Sequence, residues 1–153
     1  MPRDILLVDP DVGGLLSTVQ RALEAVAEVE PCEEFRRARA RLFMKPPDFL
    51  VTNLRLRDYN GLHLVILAAK MRTCCIVYAA PDDFVLAREA QRLSAFYERL
   101  PRLPFVLPSY VNATLPKHDR RDVAVLDRRL SFRGGRRCTD LSVAGNPSVL
   151  SLP

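Results

Sequence analysis

Acidic and amide side chains follow two apolar runs of the chain, and their types and spacing are the ones best suited to chemistry. Asp9 and Asp11 come directly after residues 5–8, and Asn53 ends the run of residues 49–53. Carboxylate oxygens are ligands that Mg²⁺ prefers, and an aspartate can also act as a nucleophile. An asparagine is a poor nucleophile and carries no charge that would attract a metal ion. These residues therefore predict a polar site that lacks covalent chemistry at position 53.

Strand-length apolar runs alternate with helix-length segments over the first 115 residues. Apolar runs and helical spacing together predict strands at residues 5–8, 29–32, 49–53, 75–79 and 104–107, and helices at residues 15–26, 35–43, 62–71 and from Asp82 or Asp83 to about 97, with a fifth helix from 109. This alternation predicts an α/β, doubly wound, five-stranded parallel sheet with strand order 2-1-3-4-5. Ligands bind such sheets at the carboxyl ends of the strands.

Three stretches in this order resemble the receiver domain of bacterial response regulators over roughly residues 3 to 115. They are Val8-Asp9-Pro10-Asp11, the segment from Pro47-Asp48 to Gly61, and Val106-Leu107-Pro108. The resemblance implies a flavodoxin-like fold. It also implies a site with two acidic residues that hold magnesium, a phosphoacceptor aspartate on the third strand, a Ser or Thr after the fourth strand and a lysine after the fifth.

Compared with that pattern, the phosphoacceptor site is degenerate. Asp9 keeps the first acidic position, but Pro10 occupies the second, and Asp11 lies one residue further along. The phosphoacceptor, hydroxyl and lysine positions are taken by Asn53, by Ala79 with Ala80 beside it, and by Leu107. The aromatic position of the family's fifth strand maps to Pro104. These substitutions predict a pocket close to neutral, one state without metal or cofactor, and no phosphorylation at position 53.

The resemblance and its departures predict a pseudo-receiver in bacterial signal transduction, which is not an enzyme and acts by protein–protein interaction. The expected interface with a protein partner is the face formed by the fourth helix, fifth strand and fifth helix, and the chain could also form a homodimer. An alternative is a receiver that is phosphorylated at a non-standard aspartate, Asp11 or Asp58.

A basic tail is predicted at residues 116–153, after a receiver-like domain at residues 1–115. Eight basic and four acidic residues lie from position 117 onward, out of 23 and 18 in the whole chain. The segment 140–145 resembles the D-x-S-x-x-G element of PilZ domains, which bind cyclic di-GMP. The residues that the resemblance implies for the nucleotide are Arg120, Arg121, Asp140, Ser142 and Gly145. A second arginine of the family's motif is missing, so binding is not expected, and the tail could form a β-hairpin or a solvated basic segment.

Composition limits the other classes of function. The cysteines Cys32, Cys74, Cys75 and Cys138 lack the spacing of a zinc site or a disulfide framework, which predicts small buried hydrophobes. No apolar run approaches the roughly 20 residues that cross a bilayer, and no signal-peptide pattern begins the sequence, so we expect a cytoplasmic protein without a membrane partner. Apart from Phe132 the tail lacks aromatic residues that would stack on bases, which argues against nucleic acid.

Overall fold

The computed structural model describes residues 2–23 and 26–113. The predicted basic tail and its PilZ-like residues Arg120, Arg121, Asp140, Ser142 and Gly145 lie outside the described residues. The domain boundary at residue 115 and the proposed β-hairpin therefore stay predictions.

Seven strands and five helices follow one another along the described part of the chain. Their bounds are β1 Arg3–Val8, α1 Val12–Leu23, β2 Ala27–Cys32, α2 Phe35–Met44, β3 Phe49–Asn53, β4 Arg55–Leu56, β5 Tyr59–Asn60, α3 Leu62–Lys70, β6 Cys74–Tyr78, α4 Phe84–Arg92, β7 Phe96–Tyr97 and α5 Leu103–Asn112, with one 3₁₀ turn at Leu100–Arg102 before α5. None of the described helices has the length and apolar character needed to cross a membrane.

Five of the strands form one parallel sheet in the order β2-β1-β3-β6-β7. Counted along the chain within that sheet, the order is 2-1-3-4-5, which confirms the predicted flavodoxin-like fold. The strands β4 and β5 form a small antiparallel hairpin beside it, between β3 and α3. The central strands β1, β3 and β6 are buried over nearly their whole length, as expected for a parallel sheet covered on both faces.

Alternate residues of these strands point to two separate hydrophobic clusters, because successive side chains of a strand face opposite ways. Leu6, Val8 and Leu50 pack with buried residues of α2, α3 and α4. Ile5 and Leu7 pack on the other face with buried residues of α1 and α5. The helices that pack on both faces of the sheet thereby hold the strand ends in position at its carboxyl edge.

The predicted fifth strand at residues 104–107 is wrong. The fifth strand of the sheet is β7, whose Phe96 and Tyr97 pair with Ile76 and Val77 of β6, and residues 104–107 lie inside α5. This segment is helical because Leu103, Leu107 and Val111 recur every four residues, so that all three are buried on one side of the helix.

Two further predictions at this end of the chain have different outcomes. Asp83 caps α4, as expected, because its Oδ1 accepts the backbone N–H groups of Val85 and Leu86 at 3.1 Å each. The helix does not continue to residue 97, however. It ends at Arg92, and Ser94 adopts a positive φ of 66° that redirects the chain into β7.

The three described cysteines behave as small core residues. Cys32 and Cys75 are buried and Cys74 is half-buried, and none of them forms a disulfide. Burial raises the pKa of the Cys74 thiol to about 11, and it raises the pKa of Cys75 further. Thiols held in the protonated form are unreactive. The prediction of buried hydrophobes is confirmed for Cys32 and Cys75, whereas Cys74 is only half-buried and Cys138 lies outside the described residues.

Candidate functional site

Three polar side chains meet where the central strands end. Asp9 follows β1, Asn53 ends β3 and Tyr78 ends β6. The parallel register aligns Val8 with Thr52 and Asn53 with Tyr78. The carboxyl edge of a doubly wound sheet is where ligand sites are built, so the register brings the polar residues to the expected place.

Both carboxylate oxygens of Asp9 accept hydrogen bonds from the protein. Its Oδ1 accepts the backbone N–H of Asp11 at 2.7 Å. Its Oδ2 accepts the Nδ2 amide of Asn53 at 3.1 Å and the Tyr78 hydroxyl at 2.5 Å. Asp9 is only 8% exposed. Three donors therefore stabilise this buried carboxylate.

Asn53 is held by hydrogen bonds on both sides of its amide. While Nδ2 donates to Asp9, Oδ1 accepts the backbone N–H of Arg55 at 2.9 Å. Asn53 therefore turns its nitrogen, and not its oxygen, toward Asp9. A carboxylate would satisfy Arg55 equally well, but it would have no hydrogen to give to Asp9.

Tyr78 is the residue of this site that the sequence analysis missed. Its side chain is fully buried. Burial, and then the hydrogen bond to Asp9, raise the pKa of the phenol well above its ordinary value. The hydroxyl therefore stays protonated and keeps donating to Asp9. The available signal was the lone tyrosine ending an apolar strand, since a buried tyrosine hydroxyl needs a hydrogen-bond partner.

The divalent cation that the receiver resemblance implies does not fit these residues. A cation at Asp9 would need oxygen ligands, but Oδ2 already accepts two hydrogen bonds, and Asn53 presents its N–H groups there. Asp11 contributes its backbone N–H to Asp9, while its side chain is exposed. Among residues 2–23 and 26–113, no group of three or more His, Cys, Asp and Glu side chains could hold a metal ion.

The predictions for the family's hydroxyl position and lysine position have different outcomes. Ala79 is buried directly after β6, and Ala80 is exposed beside it, so neither alanine supplies a hydroxyl. Leu107 is not at a strand end. It is fully buried on α5 in the core cluster that also holds Val51. The assignment of Leu107 to this site is therefore wrong, because it depended on the misplaced fifth strand.

The residues that do follow β7 are Glu98 and Arg99. Arg99 forms an ion pair with Asp82 at 3.1 Å. The assignment of the aromatic position to Pro104 is also corrected, since β7 itself carries Phe96 and Tyr97. The Tyr97 hydroxyl donates to Asp82 Oδ1 at 2.8 Å.

A crevice of about 620 Å³ is lined by polar residues of the strand ends and by apolar residues. The polar lining includes Asp9, Asp11 and Asn53, and the apolar lining includes Leu15, Leu100 and Phe105. One guanidinium, that of Arg55, also lines the crevice, but it pairs with Asp83 at 2.8 Å. Two carboxylates therefore face the crevice, which makes it more charged than the near-neutral pocket that the substitutions predict.

Gly61 fixes the approach of α3 to the end of β3. Its backbone N–H donates to the Leu54 carbonyl at 2.9 Å. A Cβ at position 61 would lie 2.3 Å from the backbone oxygen of Asn53. The hairpin of β4 and β5 thus returns the chain onto the strand end so closely that only glycine fits there.

No protein-family model matches the sequence, and no curated protein matches it. Solved structures do. A CheY-like response regulator receiver domain protein from Methanospirillum hungatei is 20% identical with a TM-score of 0.65, covering 86% of this chain and 99% of that one. A Burkholderia pseudomallei response regulator with a phosphorylated aspartic acid, calcium ion and citrate is 16% identical with a TM-score of 0.64, covering 86% of this chain and 75% of that one. The phosphorylated cyanobacterial phytochrome response regulator RcpA is 17% identical with a TM-score of 0.65, covering 76% and 98%. At these identities the likeness shows the fold, which is that of CheY-like receiver domains.

Proposed function

We propose that this chain is a receiver-like module of bacterial signal transduction that acts by protein–protein contact and is not switched by phosphorylation. It is a signalling module and not an enzyme. The fold shared with response regulators supports the setting in signal transduction. The chemistry of the strand ends supports the loss of the phosphoryl switch.

A single observation carries the proposal. The Oδ2 atom of Asp9, which would otherwise face a metal ion, accepts the Asn53 amide and the Tyr78 hydroxyl. Asn53 has no carboxylate to attack a phosphoryl donor, and Ala79 has no hydroxyl to bind a phosphoryl group. The phosphoacceptor carboxylate, which would also bind the metal ion, and the hydroxyl that would bind the phosphoryl group are therefore both absent. The side chains of Asn53 and Tyr78 donate hydrogen bonds to Asp9 instead.

The proposed interaction face lies on α4, β7 and α5. Three large apolar side chains are strongly exposed on the helices of this face, namely Phe84 at 69%, Val85 at 74% and Phe105 at 81%. Exposed apolar residues in a patch are typical of interfaces. Val111, by contrast, is buried and is not available to a partner. A partner protein is the proposed occupant, and a second copy of this chain would contact the same side chains.

Incubation with acetyl phosphate and Mg²⁺, followed by intact mass spectrometry, tests the proposal. We expect the full-length protein to gain no phosphoryl adduct, while a receiver domain with a phosphoacceptor aspartate gains one in the same mixture. An adduct that alkali removes would contradict the proposal. Loss of such an adduct in Asp11→Asn or Asp58→Asn would then support phosphorylation at a non-standard aspartate, since both side chains are exposed.

Cyclic di-GMP binding by the tail is the second hypothesis that the sequence supplies. It depends on Arg120 and Arg121, which lie outside the described residues. Calorimetry with the nucleotide separates it from the first proposal, because binding that disappears when both arginines are changed to alanine would place a sensor in the tail.

A further inference from the structure

We infer that Tyr78 takes the place of a divalent cation at Asp9, and that its hydroxyl, together with the Asn53 amide, keeps a latent cation site closed. The inference concerns the same strand ends as the proposed function and deepens it. It gives the Tyr78 hydroxyl a role of its own, which is to prevent a cation from binding Asp9. The absence of a phosphoacceptor at position 53 does not by itself imply that role.

The geometry at Asp9 Oδ2 carries the inference. The Tyr78 hydroxyl donates to this atom at 2.5 Å and the Asn53 amide at 3.1 Å. Hydrogen bonds to an ionised acceptor are the strong ones. A cation that binds Oδ2 must displace both donors, and the displaced phenol would be left buried without a partner, which is costly.

Tyr78 cannot simply turn away from Asp9. Its ring is fully buried in the core cluster with Leu7, Val51 and Leu107. β6, which Tyr78 ends, lies between β3 and β7 in the sheet. Because packed cores leave few alternative positions for a large ring, the hydroxyl stays over Asp9 in the folded protein. Tyr78→Phe keeps the ring and removes only the donor.

Restoring a carboxylate at position 53 is therefore not sufficient to restore a cation site. Asn53→Asp adds an oxygen ligand beside Asp9, but the Tyr78 hydroxyl still donates to Asp9 Oδ2 and competes with the metal ion. Two neighbouring carboxylates, together with water from the crevice, form the kind of oxygen site that Mg²⁺ or Mn²⁺ accepts. Only the combined change supplies the ligands and removes the competing donor.

Mn²⁺ binding to the full-length protein, measured by electron paramagnetic resonance of the free ion without a phosphoryl donor, tests the inference. The proteins are the wild type, Asn53→Asp, Asn53→Asp/Tyr78→Phe and a matched control, Asn53→Asp/Tyr97→Phe. The control also removes a hydroxyl that donates to an aspartate, but that aspartate is Asp82.

We expect the Tyr78 double variant to bind Mn²⁺ about tenfold more tightly than Asn53→Asp, since one charge-assisted hydrogen bond no longer competes. The control should bind like Asn53→Asp.

Equal affinity of Asn53→Asp and its Tyr78 double variant would overturn the inference, and so would an equal gain in the Tyr97 control. Circular dichroism checks that each variant is folded. If the Tyr78 double variant does not fold, Asn53→Asp/Tyr78→Leu takes its place, because leucine is also apolar and lacks the hydroxyl. It should bind Mn²⁺ more tightly than Asn53→Asp and the Tyr97 control, and equal binding by the three would refute the inference. No phosphoryl donor is present, so this inference and the proposed function can fail separately.

Discussion

Asparagine and aspartate at position 53 differ mainly in how they interact with Asp9. The Asn53 amide donates a hydrogen bond to Oδ2 of Asp9 at 3.1 Å. A carboxylate in its place has no hydrogen to donate and adds a like charge beside a buried carboxylate, which disfavours the charged form of both. In many sites a metal ion or a lysine would offset that repulsion. Here amide, hydroxyl and backbone N–H donors stabilise Asp9 instead.

We expect Asn53→Asp alone to be destabilised and to remain unphosphorylated. Loss of the donor to a buried carboxylate should lower the free energy of unfolding by about 1–3 kcal/mol, measured by urea denaturation. Asn60→Asp is the matched control, because Asn60 Oδ1 accepts the backbone N–H of Leu62 at 2.9 Å and a carboxylate can do the same. That control should change stability by less than about 0.5 kcal/mol. Robust phosphorylation of Asn53→Asp by acetyl phosphate would show that the remaining strand ends are competent.

At the scale of elements, the junction between β3 and α3 is the tightest part of the site. The carbonyl of Asn53 lies where a side chain on Gly61 would have to begin. Gly61→Ala must therefore move the strand end or the start of α3, and we expect a loss of about 1–3 kcal/mol in the free energy of unfolding. The shift should also disturb the side-chain amide resonance of Asn53 in NMR spectra.

Gly13→Ala is the control for the glycine prediction. Gly13 lies in α1, and a Cβ there would meet nothing within 4 Å. Because alanine is the better helix former, this change should stabilise the protein by about 0.5–1 kcal/mol. Equal effects of the two substitutions would contradict a role for close approach at Gly61.

The sequence reveals the elements that are long or periodic, and it hides those that depend on tertiary pairing. β3 is a continuous apolar run that is buried at every residue, so it could be predicted. β7 has only two residues, and it exists because Ile76 and Val77 offer an open strand edge. Local sequence contains no trace of that edge. The stripe of Leu103, Leu107 and Val111 did contain the signal for α5, but residues 104–107 were interpreted as a short apolar strand, and Val106-Leu107-Pro108 was matched to the end of the family's fifth strand.

The same distinction applies to the candidate site. Asp9 and Asn53 could be predicted because each directly follows or ends a readable strand. Tyr78 could not be joined to them without the register that pairs it with Asn53 across β3 and β6. Leu107 was assigned wrongly because the fifth strand was placed at residues 104–107, and an error in the position of a strand moves every residue placed relative to it.

Over the described residues, three of the four tyrosine hydroxyls are hydrogen-bonded to carboxylates, and of these three tyrosines Tyr78 is buried while Tyr97 and Tyr110 are half-buried. Tyr78 donates to Asp9, Tyr97 donates to Asp82, and Tyr110 donates to Glu98 at 2.7 Å. Burial, followed by the neighbouring carboxylate, raises the pKa of each phenol, and it raises the pKa of Tyr97 to about 12. Cys74 and Cys75 shift in the same direction through burial. The folded chain therefore holds several protons that the unfolded chain releases at lower pH.

This pattern predicts a loss of stability in alkaline solution. Unfolded cysteine and tyrosine ionise near pH 8.5 and 10, whereas the folded-state pKa is about 11 for Cys74 and about 12 for Tyr97. Above pH 8.5 the unfolded state thus binds fewer protons than the folded state, so the free energy of unfolding falls as pH rises. Each such group lowers it by at most about 1.4 kcal/mol per pH unit. The contribution is fully present below pH 8.5 and is lost as pH rises through the folded-state pKa values.

Urea midpoints measured in reductant at pH 8, 10 and 11 should therefore decrease. The midpoint of Cys74→Ala should decrease less with pH than that of the wild type. A midpoint that stays constant to pH 11 would mean that these protons are not held by the fold.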